Sequence, residues 1–134
     1  MNPDKAEALK QELRAMPEPH LVLIDQFFDG NEDAGSIGCN LSEHPGMAAF
    51  REILTSLEAR ADVEAVYAQV SELDPGEGEW PFADTVWVVG SITQAELAEL
   101  LAPLTPDEVG VSSEGLAAQL GVYHKTAVLS VWWD

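Results

Sequence analysis

Oxygen-bearing side chains alternate with other residues between positions 29 and 33. Asp29, Asn31 and Asp33 have the D-x-N-x-D spacing that opens an EF-hand calcium loop, in which alternate residues turn oxygens toward one ion. The glycine of that motif is displaced to Gly35, and Asn40 stands where a bidentate glutamate is required. The spacing therefore predicts a calcium or magnesium site at Asp29, Asn31 and Asp33, or a loop in which these side chains hydrogen-bond neighbouring amides.

The chain contains a single cysteine, Cys39, which precedes His44 closely in the sequence. A thiol and an imidazole form the nucleophile and base of a cysteine hydrolase when a third group orients the base. The sequence shows no such third group, and a lone cysteine more commonly packs as a small apolar residue, so we assign no catalytic residue. One cysteine cannot form an internal disulfide, which is typical of a reducing compartment.

Large aromatic side chains are concentrated in two short segments, 80–87 and 131–134. Exposed aromatic residues often anchor protein interfaces, whereas buried ones close one end of a sheet. Adjacent tryptophans in a strand lie on opposite faces, so one of the terminal pair enters the core and the other meets a helix, a partner or solvent. The predicted partner-binding residues are Trp80, Phe82, Trp87, Trp132 and Trp133.

The hydrophobic pattern predicts the helices and strands that position these residues. Helices are predicted over 3–16, over 45–57, and from Thr93, which forms a capping box with Glu96, to Leu104. Strands are predicted over 21–28, 63–73, 85–89 and 123–133, and short helical turns over 105–108 and 116–120. The glycine-rich loop that carries the calcium-like spacing follows the first predicted strand.

Without the N-terminal helix, the predicted order is strand, helix, strand, strand, helix, strand. This is the ferredoxin-like βαββαβ plan, which predicts an α+β fold with a four-stranded antiparallel sheet. The first and third strands are the most apolar and are expected in the interior of the sheet, whereas the polar face of the second predicts an edge position. We expect a single domain over 1–134, with an appended N-terminal helix over 1–17 and a core over 20–134.

Acidic residues greatly outnumber basic ones: 24 Asp and Glu against 6 Lys and Arg give a formal net charge of −18. Nucleic acids and anionic lipids are bound through Lys and Arg, so the composition argues against both kinds of partner. It suits a basic protein partner, divalent cations or simple solubility. The N-terminus lacks a secretion-signal pattern and no apolar run is long enough to span a bilayer, which predicts a cytoplasmic protein.

Five segments resemble a family of small, uncharacterised bacterial proteins of actinobacterial type. These segments are Phe27–Leu41, His44–Gly46, Trp80–Val86, Pro106–Val109 and the terminal Trp132–Asp134. The resemblance extends from about residue 21 to the end of the chain and leaves the N-terminal helix outside. It implies a single domain and carries no activity.

These observations favour a non-enzymatic protein that acts through association, as a homodimer and with a basic protein partner. An inhibitor or immunity protein for a basic partner such as a nuclease toxin is an attractive form of this hypothesis, because complementary charge accelerates encounter. The alternatives are a cation-binding or metal-dependent protein that uses Asp29, Asn31 and Asp33, and a cysteine hydrolase that uses Cys39.

Overall fold

The structure, a computed structural model, describes residues 2–111 and 127–133 of the chain. These ranges contain helices α1 (Pro3–Ala15), α2 (Ile24–Phe28), α3 (Met47–Glu58) and α4 (Gln94–Leu101), and strands β1 (Leu21–Leu23), β2 (Val63–Glu72), β3 (Phe82–Gly90), β4 (Glu108–Val111) and β5 (Val128–Trp132). Short 3-10 turns occupy Ala34–Ser36 and Ala102–Leu104. The protein has an α+β architecture, as the sequence predicts.

Helix α1 is packed into the main core of the protein. The Asn2 side chain caps it by accepting hydrogen bonds from two amides of the first turn, at 3.1 and 3.2 Å. Leu9 and Leu13 are buried members of the main apolar cluster, which also contains residues of the other helices and of the strands. Lys10 is also buried, and its ammonium group donates a hydrogen bond to the Gly76 carbonyl oxygen at 3.1 Å. The helix therefore contributes both apolar contacts and a polar link to the rest of the chain.

Helices α3 and α4 begin close to where the sequence predicts them. Helix α3 follows Gly46, whose φ of 99° is a conformation that glycine adopts without strain. For α4, the Thr93 hydroxyl oxygen accepts a hydrogen bond from the Glu96 amide at 3.1 Å, which confirms Thr93 as the N-cap, whereas the Glu96 carboxylate accepts a hydrogen bond from Arg60. The buried stripe of α3 consists of Met47, Phe50, Leu54 and Leu57.

The first predicted strand is shorter than expected. Its residues pair with β2 at Leu21–Leu23, and the chain then turns into helix α2. Ile24, Phe27 and Phe28 explain this change, because their i, i+3, i+4 spacing places all three on one helix face, which is buried. The prediction of a strand over 21–28 is therefore wrong, since a short apolar run is compatible with either a strand or a helix.

The sheet has the strand order β1-β2-β3-β5-β4, and every neighbouring pair is antiparallel. This order contradicts the predicted ferredoxin-like four-stranded sheet. Strand β1 lies at an edge, which suits its length of three residues, and β2 lies in the interior between β1 and β3. Strand β4, absent from the prediction, extends the sheet beyond β5. Among the predicted positions, the interior place of β3 is confirmed.

Residues 105–108 lead into a strand and do not form the predicted helical turn. Thr105 ends the second 3-10 turn in a left-handed conformation, with φ of 47°. Strand β4 then pairs with β5, with Glu108 opposite Trp132. The predicted helical turn over 116–120 and the beginning of the last predicted strand lie outside the described residues, and the described part of that strand is β5.

The helices cover one face of the sheet. Apolar residues of α1 to α4 join inward-facing residues of the strands in one buried cluster, which includes Val66, Val86, Val88, Leu129 and Val131. The opposite face carries a smaller cluster of Ala65, Trp87, Val89 and Val128. Within residues 2–111 and 127–133, no helix is long and apolar enough to cross a membrane.

Candidate functional site

The predicted cation ligands Asp29, Asn31 and Asp33 are engaged by different partners. Asp29 is exposed, and its carboxylate accepts a hydrogen bond from Lys5 Nζ at 2.6 Å. Asn31 is fully buried; its Nδ2 donates to Ser36 Oγ and its Oδ1 accepts from the Asp33 amide, both at 2.9 Å. An ion at this loop has to replace these contacts. A cation site here stays a prediction, and calorimetric titration with calcium, magnesium and manganese tests it.

Asp33 connects the loop to the segment that precedes β3. Its Oδ1 accepts a hydrogen bond from the Gly35 amide at 2.9 Å, and its Oδ2 accepts one from the Trp80 amide at 3.0 Å. Ile37 forms a parallel bridge with Ala83 of β3. These contacts fix the loop against the start of β3 and place residues 38–40 beside that strand.

Both ring nitrogens of His44 are engaged by backbone groups. Nδ1 accepts a hydrogen bond from the Gly46 amide at 2.9 Å, which assigns the proton to Nε2, and Nε2 donates to the Ile37 carbonyl oxygen at 2.8 Å. The imidazole also packs on Phe50, with ring centroids 5.1 Å apart. Cys39 is exposed, but His44 has no nitrogen free to act as its base in this arrangement. The imidazole instead holds the loop in place.

Trp80 and Trp133, two of the predicted partner-binding residues, lie in the core. Their exposed fractions are 0% and 1%. The Trp133 Nε1 donates to the Leu104 carbonyl oxygen at 3.0 Å, and its ring lies 5.6 Å from that of Phe50. The Trp80 Nε1 is buried and has no acceptor in the described part of the chain. Both indoles therefore have structural positions in this molecule.

Phe82, Trp87 and Trp132 reach the surface to different extents. Trp87 belongs to the cluster on the outer face of the sheet and is 9% exposed; its Nε1 donates to Gln69 Oε1 at 2.8 Å. Phe82 is half-buried. Trp132 is 40% exposed, more than any other tryptophan of the chain. Of the two adjacent C-terminal tryptophans, one is in the core and the other is at the surface, as the alternation of a strand requires.

Phe82 and Trp132 line one surface cleft together with the end of the glycine-rich loop. We call it the Cys39–Trp132 cleft; its volume is about 280 Å³. Antiparallel pairing brings the end of β2, the start of β3 and the end of β5 to the same end of the sheet. Three segments that stand out in the sequence therefore meet at one place. The residues that line the cleft are Gly38, Cys39, Asn40, Ser71, Phe82, Ala83, Asp84, Trp132 and Trp133.

Acidic side chains surround the two partly exposed aromatic residues of the cleft. Asp84 belongs to the lining, Glu72 lies opposite Phe82 in the strand register, and Glu108 lies opposite Trp132. None of these three acids forms an ion pair with a described residue. The cleft therefore combines apolar surface with negative charge that no described base neutralises.

The described basic residues are located elsewhere and have their own partners. The bases that form ion pairs in the described ranges are Lys5, Lys10, Arg14, Arg51 and Arg60. Arg60 donates two hydrogen bonds to the Asp62 carboxylate, at 2.8 and 2.9 Å, and these bonds lower the pKa of Asp62. The sixth base, Lys125, lies outside the described residues.

Comparison with known proteins gives the chain a family. The family model described as "Uncharacterized protein YfbO family" matches residues 4–131. The chain belongs to this family. It is 26% identical over 121 residues to the "Uncharacterized protein YfbO" of Escherichia coli (strain K12), which covers 88% of this chain and 84% of the relative. No solved structure matches.

The sequence resemblance implied that the chain belongs to an uncharacterised protein family, and membership of the YfbO family confirms this. The actinobacterial type and the shared segments quoted for it stay predictions. The match begins at residue 4 and so includes helix α1, which the resemblance placed outside the shared region. Burial of Leu9 and Leu13 in the core gives a physical reason for α1 to belong to the domain.

This member of the YfbO family also carries a carboxyl pair between α2 and α3. The Glu58 carboxyl forms a hydrogen bond with that of Asp25. Burial, together with this hydrogen bond and the neighbouring charge, raises the pKa of Glu58 from 4.5 to about 7. The pair therefore takes up a proton close to neutral pH.

Sequence reasoning found the aromatic residues of the cleft and missed the acids beside them. The i, i+2 spacing of Phe82 and Asp84 gave no secure signal, because the pairing of β2 with β3 is irregular here and skips Asp84. No signal existed for Glu108 either, since its position beside Trp132 depends on the unpredicted strand β4.

Proposed function

We propose that the protein is a non-enzymatic association module that binds a basic protein partner through the Cys39–Trp132 cleft and the acids around it. The observation that supports this proposal is an exposed tryptophan that shares a cleft with Asp84, with Glu108 opposite Trp132 and Glu72 opposite Phe82 in the strand register, and no described base neutralises these three acids. Aromatic residues seated in pockets often anchor interfaces. Complementary charge accelerates encounter and selects against partners of like charge.

An inhibitor or immunity protein is the form of this function that we favour. A protein that binds nucleic acid needs a cationic surface for the phosphates. An acidic protein of net charge −18 competes for such a surface when it also has an apolar anchor to hold it there. Trp132 supplies that anchor in this proposal, and the surrounding acids supply the charge.

Affinity capture with matched variants tests the proposal. The wild-type chain is used as bait, together with a cleft variant, Asp84→Asn/Glu108→Gln, and a control variant, Glu52→Gln/Glu99→Gln. Both variants lose two negative charges, but Glu52 and Glu99 are exposed on helices α3 and α4. We expect a protein of high isoelectric point that the wild type and the control retain at low salt and release at high salt.

The cleft variant decides the location of the interface. If the purified captured protein binds the cleft variant as tightly as the control, its interface lies elsewhere and the proposed site is wrong. If no salt-sensitive basic protein is retained by any bait, the proposal of a basic partner is wrong as a whole.

We also propose that the protein forms a homodimer through the edge strand β1. Leu23 of this strand is 48% exposed, and the outer edge of β1 pairs with no other described strand. Such an edge is a template for pairing with a second chain. Sedimentation equilibrium should show a dimer that Leu23→Lys weakens; a wild-type monomer at every concentration contradicts the proposal.

A further inference from the structure

The size of the Cys39–Trp132 cleft limits what it can hold. Sites for drug-sized ligands and cofactors have volumes of about 300–1,000 Å³. The cleft, at about 280 Å³, lies just below that range. It is therefore better matched to one side chain of a partner than to a cofactor.

The polar groups of the cleft favour a cation in that position. Asp84 Oδ1 accepts a hydrogen bond from Thr85 Oγ1 at 3.0 Å, and within the described ranges Oδ2 has no donor. As far as the described residues go, one carboxylate oxygen is therefore open to a ligand. Glu72 and Glu108, opposite Phe82 and Trp132 in the strand register, add negative charge and have no ion pair among the described residues.

The aromatic residues distinguish between the two basic side chains. An arginine guanidinium is planar, is less strongly hydrated than an ammonium group, stacks on aromatic faces, and donates several N–H groups to a carboxylate. A lysine ammonium is a compact point charge that keeps its water more strongly. An exposed indole beside a partly open carboxylate fits the first group better.

We propose that the Cys39–Trp132 cleft is an arginine-binding pocket, in which a guanidinium of the partner stacks on Trp132 and bonds to Asp84. This inference rests on the proposed association with a basic protein and names the chemistry of its anchor. The neighbouring acids then act by attracting the partner, and the pocket selects the residue that the partner inserts.

Three amino acids that are capped at both ends, so that only the side chain can carry a charge, test the pocket without the partner. They are N-acetylarginine amide, N-acetyllysine amide and N-acetylcitrulline amide. Citrulline keeps the shape of arginine and lacks its charge. Binding is followed by the indole N–H signal of Trp132 in nitrogen–proton correlation spectra, which the spectrum of Trp132→Phe assigns. We expect the arginine probe to shift this signal and to bind about fivefold more tightly than the lysine probe, and the citrulline probe to give no shift.

Variants of the pocket provide the second readout. Binding to the Trp132 variants is followed through the backbone amide signal of Asp84, because these variants lack the indole. Trp132→Ala and Asp84→Asn should each weaken binding of the arginine probe by about fivefold, while Glu99→Gln, which changes the charge as Asp84→Asn does, should change it less than twofold. Trp132 is 40% exposed, and asparagine keeps the acceptor for Thr85, so both variants are expected to fold; Trp132→Leu serves as a second variant.

The outcomes separate this inference from the proposed function. Equal shifts by the arginine and lysine probes, or undiminished binding by both pocket variants, overturn the arginine pocket. If a basic protein still binds the cleft in that case, the proposed function stands without it. If the arginine probe binds as expected and no basic protein is captured, the pocket stands and the proposed function fails.

Discussion

Asp33 is expected to determine how firmly the glycine-rich loop is held against the sheet. In Asp33→Ala the Gly35 amide loses its capping acceptor, at a cost of about 1 kcal/mol. The Trp80 amide, which belongs to a fully buried residue, loses its acceptor as well, at a cost of about 1–3 kcal/mol. We therefore expect the free energy of unfolding to fall by about 2–4 kcal/mol, measured by urea denaturation followed through tryptophan fluorescence.

Asp29→Ala is the matched control, because it removes the same carboxylate from the same loop. Asp29 is exposed and forms one surface ion pair with Lys5, so its loss should cost about 0–1 kcal/mol. Asp33→Asn keeps one acceptor oxygen, so its loss in the free energy of unfolding should fall between those of Asp33→Ala and Asp29→Ala. Values for Asp33→Ala and Asp29→Ala that agree within about 0.5 kcal/mol would show that Asp33 does not hold this loop.

Five further substitutions test other contacts. Gly90→Ala places a Cβ 2.3 Å from a backbone oxygen, so we expect it to lower the free energy of unfolding by at least about 2 kcal/mol. Leu13→Ala, at a position that is 0% exposed, should cost about 2–5 kcal/mol. Trp133→Phe removes a buried hydrogen bond, whereas Trp80→Phe removes a buried donor that has no acceptor among the described residues, so the first should cost about 1–2 kcal/mol more than the second. The Glu58 pKa of about 7 lies above its unfolded value of 4.5, so its contribution to stability is present below pH 4.5 and is lost as the pH rises to about 7. Because Glu58 is partly exposed, we expect the loss to be about 1–2 kcal/mol, and Glu58→Gln should remove it.

Each of these expectations has a clear contrary result. If Gly90→Ala leaves the free energy of unfolding unchanged, the two backbone segments do not approach as closely in solution. A change below about 1 kcal/mol for Leu13→Ala would mean that α1 is a true appendage. Equal losses in the free energy of unfolding for Trp133→Phe and Trp80→Phe would mean that the hydrogen bond of the Trp133 indole does not stabilise the fold. An unchanged pH profile in Glu58→Gln would exclude the carboxyl pair as its source.

Local signals in the sequence predicted the parts of the fold that local forces determine. The Thr93 and Glu96 pair marked the start of α4, and the apolar stripe of α3 was read correctly, because capping and helical spacing act within a few residues. The run from Leu21 to Phe28 was ambiguous, since its apolar start, Leu21 to Ile24, satisfies both periods, and only Asp25 and Gln26 interrupt the run. Strand β4 has only the short sequence Glu108–Val111, and its pairing with β5 is a tertiary contact that composition does not reveal.

The candidate site was predicted in its components and not in its assembly. Trp132 and Phe82 were recognised as aromatic residues able to reach a partner, and the alternation of a strand placed one terminal tryptophan outside. The meeting of both with Cys39 and Asp84 depends on strand order. The predicted ferredoxin-like order was wrong, so the sequence analysis had no basis for placing these residues together.

The charge imbalance also affects the folding equilibrium, and it does so in the direction opposite to its effect on binding. A chain with a net charge of −18 repels itself when compact, and its exposed ion pairs offset little of that repulsion. Added salt should therefore raise the melting temperature of the free protein while it weakens capture of a cationic partner. The dilute buffers in which such a complex forms most readily are thus those in which the unbound domain is least stable.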